Sequence, residues 1–154
     1  SNPPRPIDEG QQMKLQRSVE TNATPEAVFA YLSDFTNTNE WDPGTVKTVL
    51  VSGDGGVGTT YANTSKFMGR ETELTYEVVE HRPDTLFALR GENKSVIAHD
   101  TMEIAPTGSG SRVTYTADFQ FKGIGRLVAP LFAPALKKLG DDAEEGLREG
   151  LAKL

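Results

Sequence analysis

The chain contains no cysteine, and that absence removes disulfide frameworks, thiol nucleophiles and cysteine metal sites together. It fits a reducing compartment, and a cytoplasmic location is the expectation. Only two histidines are present, His81 and His99. Neither sits in a spacing that gathers several His or carboxylate ligands, so no metal or other cofactor is expected. There is no apolar run of the ~20 residues needed to span a bilayer and no basic-then-apolar leader at the start, so stable membrane insertion is not expected. Positive charge is also short: 16 Lys and Arg against 22 Asp and Glu give a formal net charge of -6. Such a surface repels phosphate backbones on average, which argues against a nucleic-acid partner.

What is present is one domain's worth of patterned chain, 154 residues, long enough for a core without external staples. Ser1 and Asn2 read as a cloning remnant, and Pro3, Pro4 and Pro6 as a disordered lead-in over residues 1–11, leaving 12–154 as a single ligand-binding domain. From Gln12 to Glu20, Met13, Leu15, Arg17 and Val19 share one parity, the mark of a half-buried strand. Thr24-Pro25-Glu26 is a helix start: a hydroxyl cap, a proline where its missing N–H is harmless, and a carboxylate at the positive end of the dipole. That helix runs to about Ser33 and presents Val28, Phe29 and Leu32, with Phe35 following. A second short turn over Thr36–Trp41 stops at Asp42-Pro43-Gly44, because the residue before proline is pushed out of helical geometry.

Strand-like segments follow near Val46–Val51, Thr59–Phe67, Glu71–Glu80, Thr85–Gly91, Ser95–Ile104 and Ser111–Phe121, separated by turn residues. Alternation is clearest in Thr72, Leu74, Tyr76 and Val78, and in Val113, Tyr115, Ala117, Phe119 and Phe121. The register through Leu86, Phe87, Ala88 and Leu89 is ambiguous. Consecutive hairpins without helical crossovers predict an antiparallel sheet with one wet face. Its cover is the segment from about Ile124 to Leu154, where Leu127, Leu131, Ala135, Leu139, Ala143, Leu147, Leu151 and Leu154 recur at three or four residues. Pro130 and Pro134 predict a kink there, or a true start at one of them. The fold expected is therefore α+β: a curved antiparallel sheet of six to seven strands around a long C-terminal helix, with two short helices after strand one.

The residues Ala23 to Pro43, ATPEAVFAYLSDFTNTNEWDP, resemble the opening of the START-like, or SRPBCC, helix-grip proteins of the polyketide cyclase/dehydrase and lipid-transport kind. Tyr76 to Pro83, YEVVEHRP, is similar to the hairpin after their central strand. GDGGVGTT, Gly53 to Thr60, resembles the glycine-rich loop of the birch-pollen-allergen branch. The resemblance implies a cavity between sheet and terminal helix, in a superfamily that hosts carriers, cyclases, hydroxylase ligand-binding domains and chaperone activators alike.

The same glycine-rich loop lacks the Lys-Ser/Thr and following helix of a phosphate-binding loop, so a structural hairpin is the expectation. His81 reads as an exposed turn residue and His99 as outward-facing. Polar residues on the inward parity carry more. Asp100 shares the face of Ala98, Met102 and Ile104, and a carboxylate in an apolar cavity would have a raised pKa, as a general acid or base requires. The competing reading pairs Asp100, near a strand end, with Arg70, water or a turn, or reverses its parity through a bulge. Tyr61, Tyr76 and Tyr115 either hydrogen-bond a ligand or are core aromatics with wet tips. Trp41 and Phe35 pack the short helices on the sheet rim or gate the pocket.

The expected site thus comprises Tyr61, Arg70, Leu74, Tyr76, Asp100, Met102, Tyr115, Phe119, Leu127, Leu131, Phe132 and Ala135, with Asp100 and Tyr115 as the catalytic candidates. The expected function is binding, transport or sensing of a small hydrophobic or aromatic molecule. A cofactor-free polyketide cyclase, aromatase or dehydratase using the same cavity is the alternative. A protein-interaction or chaperone-regulating module, docking through the acidic stretch Asp141 to Glu149, stands below both. Oligomeric state is not readable from the pattern.

Overall fold

In a computed structural model of the chain, residues 12–123 and 125–154 are described; the expected lead-in over 1–11 and the helix start at Ile124 lie outside them. The chain begins with strand β1, Gln12–Thr21, and turns directly into helix α1, Pro25–Leu32. Thr24 caps α1 as its residue type predicts, its hydroxyl accepting the Ala27 N–H at 3.2 Å. Val28, Phe29 and Leu32 go into the core. A single 3₁₀ turn, Phe35–Asn37, is capped by the Asp34 carboxylate and leads into the short helix α2, Thr38–Trp41. Asp42 before Pro43 is extended, at φ -96° and ψ 107°, which ends α2.

Six more strands follow: β2 Thr45–Ser52, β3 Thr60–Phe67, β4 Arg70–Arg82, β5 Leu86–Glu92, β6 Val96–Pro106 and β7 Ser111–Phe121. They form a seven-stranded sheet in the order β1-β7-β6-β5-β4-β3-β2, and every neighbouring pair is antiparallel. Successive hairpins account for the run from β2 to β7; β1 returns beside β7, so the short helices span the two sheet edges. The helix-grip architecture expected from the order of elements is the one observed.

The inner face follows the alternation. In β6, Ala98, Asp100, Met102 and Ile104 are buried while His99 and Glu103 are exposed. The β5 register, ambiguous in sequence, places Phe87 and Leu89 inward with essentially no exposure. A register shift between Val78 and Glu80 carries β4 through a bulge. Beyond it His81 shares the inner face, its ring edge-on to Phe29 at 4.9 Å and to Phe87 at 6.2 Å. The sequence reading of His81 as an exposed turn residue is therefore corrected: a one-residue bulge changed the face. The Gly53 to Thr60 segment is a hairpin connection in which Gly53, Gly55 and Gly58 all take positive φ, and the Gly55 and Gly56 N–H groups are already held by Thr59 and Asp54.

After β7 the chain makes one short helical turn, α3, Gly125–Val128, then a 3₁₀ turn, Ala129–Phe132, before the long helix α4, Ala133–Ala152. Pro130 and Pro134 separate these units, so the helical phase of the first is not inherited by the last. The buried stripe of α4 is Leu136, Gly140, Ala143, Leu147 and Leu151. Leu127 and Leu131, expected to face the sheet, are 81% and 75% exposed, and Leu154 lies exposed past the helix end. The acidic stretch of α4 is largely paired on the surface: Asp141 with Lys137 and Arg17, Asp142 with Lys138.

Candidate functional site

Between the inner face and α4 the packing leaves a cavity of about 130 Å³. The sheet supplies Leu74 and Tyr76 from β4, Asp100 and Met102 from β6, and Tyr115 and Phe119 from β7; α4 supplies Leu136, Leu139 and Ala143. Phe35, Trp41 and Asp42 close it from the side of the short helices. Most of the lining is apolar, and two carboxylates, Asp100 and Asp42, stand in it.

The first is Asp100. It sits mid-strand, opposite Leu89 on one neighbour and Ala117 on the other, in registers that run without a shift. It is 6% exposed, and no lysine or arginine pairs with it among the described residues. Burial, reinforced by the negative charge of Asp42, pushes its carboxyl up to about 7, and the Tyr115 hydroxyl donating to it pulls the other way. Tyr115 and Tyr76 are raised well above the usual phenol range, chiefly by burial and then by the Asp100 charge, so both keep their protons.

The second is Asp42, whose two oxygens accept the Gly44 N–H and the Thr45 hydroxyl, each at 3.0 Å. Those two donors oppose the rise that burial imposes on it, and the nearby Asp142 charge adds to that rise.

Beside Asp42 the buried Asn63 donates to the Thr48 hydroxyl at 2.8 Å and accepts from Ser65 at 2.7 Å. The Thr38 and Thr48 hydroxyls are 2.7 Å apart, and Asn39 clamps the Thr48 backbone through both its amide atoms at 2.8 Å. This network splices α2 onto β2 and turns Asn63 and Ser65 toward the cavity wall.

Of the residues expected at the site, Leu74, Tyr76, Asp100, Met102, Tyr115 and Phe119 line this cavity. The others are elsewhere. Arg70 is exposed at the tip of the β3–β4 hairpin, across from Phe67, and does not pair with Asp100. Tyr61 is buried but packs on Phe35 at 5.5 Å and borders an outer recess with Ser33, Asp34 and His81. Leu127 and Leu131 project from the segment before α4, for the reason of phase given above. Phe132 packs edge-on against Phe67 at 5.8 Å, beside the cavity rather than in its wall. Ala135 is half-buried and one position off the stripe that begins at Leu136.

Sequence reasoning missed Asp42, Asn63 and Ser65 as wall residues, and gave Trp41 only as rim packing or a gate. Asp42 was absorbed by its helix-stopping role. Asn63 and Ser65 carried a usable signal, since they share the inward parity of Tyr61 on β3. Trp41 is 4% exposed and lies edge-on to Tyr115, with ring centres 6.2 Å apart, so it is wall as well as packing.

The family model for polyketide cyclase / dehydrase and lipid transport matches residues 12–154. The chain belongs to that family. No curated protein sequence matches it. Among solved structures it is similar to the Zhui aromatase/cyclase from Streptomyces sp. R1128, with 12% identity, TM-score 0.77, and 91% of this chain and 93% of that one covered. It is also similar to a START superfamily protein from Mycobacterium smegmatis, with 17% identity, TM-score 0.69, and 92% and 99% covered. The di-domain aromatase/cyclase StfQ, from the steffimycin biosynthetic pathway, matches over 94% of this chain at 12% identity and TM-score 0.71, and the chain spans 52% of its length. At these identities the likeness is one of fold.

Proposed function

We propose that this family member binds a small hydrophobic or aromatic molecule in the cavity between sheet and α4, as a carrier or sensor. The observation that carries the reading is a mostly apolar space around one buried carboxylate, Asp100, with the Tyr115 phenol in the same wall. Binding sites for small molecules have this composition: apolar walls for affinity and a few convergent polar groups for orientation. The volume of about 130 Å³ supports a ligand of single-ring size, since an apolar cavity of roughly 150 Å³ accommodates benzene. A long poly-ketone chain would need the cavity to open. A cytoplasmic setting suits the reading, with the cysteine-free composition in its favour; no helix among the described residues is long and apolar enough to cross a membrane.

A second reading, a cofactor-free cyclase or dehydratase, is favoured by one observation. Asp100 titrates near 7 beside a phenol that stays protonated, the pairing that a general base and a hydrogen-bond donor need for enolisation next to a carbonyl. In that case Asp100→Asn and Tyr115→Phe abolish turnover with the fold intact. Native mass spectrometry of gently purified protein, against a denatured control, tests the first reading. A discrete adduct lost on denaturation supports it, and the absence of any saturable lipophile binding would contradict it.

A further inference from the structure

The cavity walls hold two carboxylates and, among the described residues, no cation matched to either. Asp100 is 6% exposed, and the Tyr115 phenol is the donor beside it. A carboxylate offers about four acceptor positions, and one phenol fills one of them. Asp42, also in the cavity wall, has its oxygens held by neutral donors only. Neither carboxylate forms an ion pair with lysine or arginine among the described residues. Lys66 borders the cavity, but it is exposed and forms no ion pair with either carboxylate. A buried carboxylate lacking a cation is a costly arrangement for a core, and an occupant of opposite charge removes that cost.

The surroundings of these carboxylates are aromatic. Trp41 and Tyr115 meet edge to face at 6.2 Å, and Phe35 and Tyr76, also in the cavity wall, lie 4.9 Å apart. Ring faces attract ammonium groups, most strongly where water is excluded. Above about pH 7, where Asp100 is mostly ionised, an anionic ligand would meet that charge and a neutral one would leave it uncompensated.

We propose that the preferred occupant of this cavity is a protonated amine carried on a single small apolar ring, its ammonium seated by Asp100 with Asp42 contributing negative potential, among the Trp41 and Tyr115 rings. The proposal rests on the reading that the cavity binds a small molecule, and it adds the ligand's charge.

Three compounds of one shape test it: benzylamine, benzyl alcohol and benzoate, titrated calorimetrically into the wild-type protein at about pH 8, where Asp100 is mostly ionised. Benzylamine is expected to bind about tenfold or more tighter than benzyl alcohol, in keeping with a hydrogen bond to a charged partner, and benzoate not to bind. Asp100→Asn is expected to erase that preference. Near neutral pH, benzylamine should also release protons from Asp100, so its heat changes with the ionisation enthalpy of the buffer, a readout that needs no variant. Benzyl alcohol or benzoate binding as tightly as benzylamine overturns the amine assignment while leaving ring binding in place. If none of the three binds, the cavity reading fails and the amine assignment with it.

Discussion

The two ends of α4 meet the rest of the molecule in opposite ways. Toward its C-terminus the helix lies so close to the short helices that a side chain at Gly146 would overlap the Trp41 carbonyl oxygen, and one at Gly150 would come within 2.9 Å of the Trp41 Cβ. Leu147 and Leu151 fill what remains and are fully buried with Val28, Leu32 and Phe87. Toward its N-terminus the same helix packs on β1 and borders the cavity, with Leu136, Leu139 and Ala143 in the cavity wall. One helix is thus core at one end and container wall at the other. The approach that glycine permits at the closed end is what ties the helix down, so the other end can leave space unfilled at tolerable expense in stability.

Substitution at the closed end should break this contrast most. Gly146→Val must displace either α4 or the Trp41–Pro43 segment, and an equilibrium denaturation loss of about 3 kcal/mol or more is expected, or failure to fold. Leu147→Ala at the closed end should lose about 3–4 kcal/mol through transfer and cavity terms, whereas Leu139→Ala at the half-buried open end should lose about 1 kcal/mol. Equal losses in urea or guanidinium titrations would show that the two ends do not differ.

Asp100 gives the comparison a pH dependence. Its carboxyl holds its proton up to about 7 in the folded protein, against an ordinary 3.8. The folded state therefore binds more protons than the unfolded chain between these values, so this group's contribution to stability falls as pH rises from about 4 to about 7 and then levels off. Asn does not ionise. Asp100→Asn should accordingly gain on the wild type across that window, by an amount on the order of 2–4 kcal/mol at most above neutrality. Thermal melts of both proteins at intervals of pH check this, and a constant Tm difference would contradict it. The smallest effect belongs to the surface: Leu127→Ser and Leu131→Ser, both at exposed positions, should change stability by no more than about 0.5 kcal/mol.

Much of this architecture is legible in the chain itself, because the signals are local. Thr24-Pro25 starts α1, Asp42-Pro43 ends α2, and strict alternation in β6 and β7 orients Asp100 and Tyr115. Errors arise where geometry accumulates across a discontinuity. Repeating every fourth residue from Leu127 drifts about 40° per step around a helix of 3.6 residues per turn, and two prolines reset the phase, so the true stripe begins at Leu136. The bulge after Val78 moves His81 to the inner face, a shift that composition does not encode. The Asp42–Asn63–Ser65 part of the cavity wall depends on how α2 sits against β2, which is set by Asn39 and Thr48 pairing across the fold. Arg70 failed as a partner for Asp100 because equal parity on a shared face says nothing of distance along the strand.

The most direct test of the account is a titration of the emission of Trp41, the chain's one tryptophan and a wall residue of the cavity, with small single-ring compounds. The account predicts a saturable one-to-one change that disappears when Ala143→Phe fills the space from α4 in a protein whose melting remains cooperative. An emission that drifts linearly with added compound, or saturates equally well in the filled variant, would contradict it.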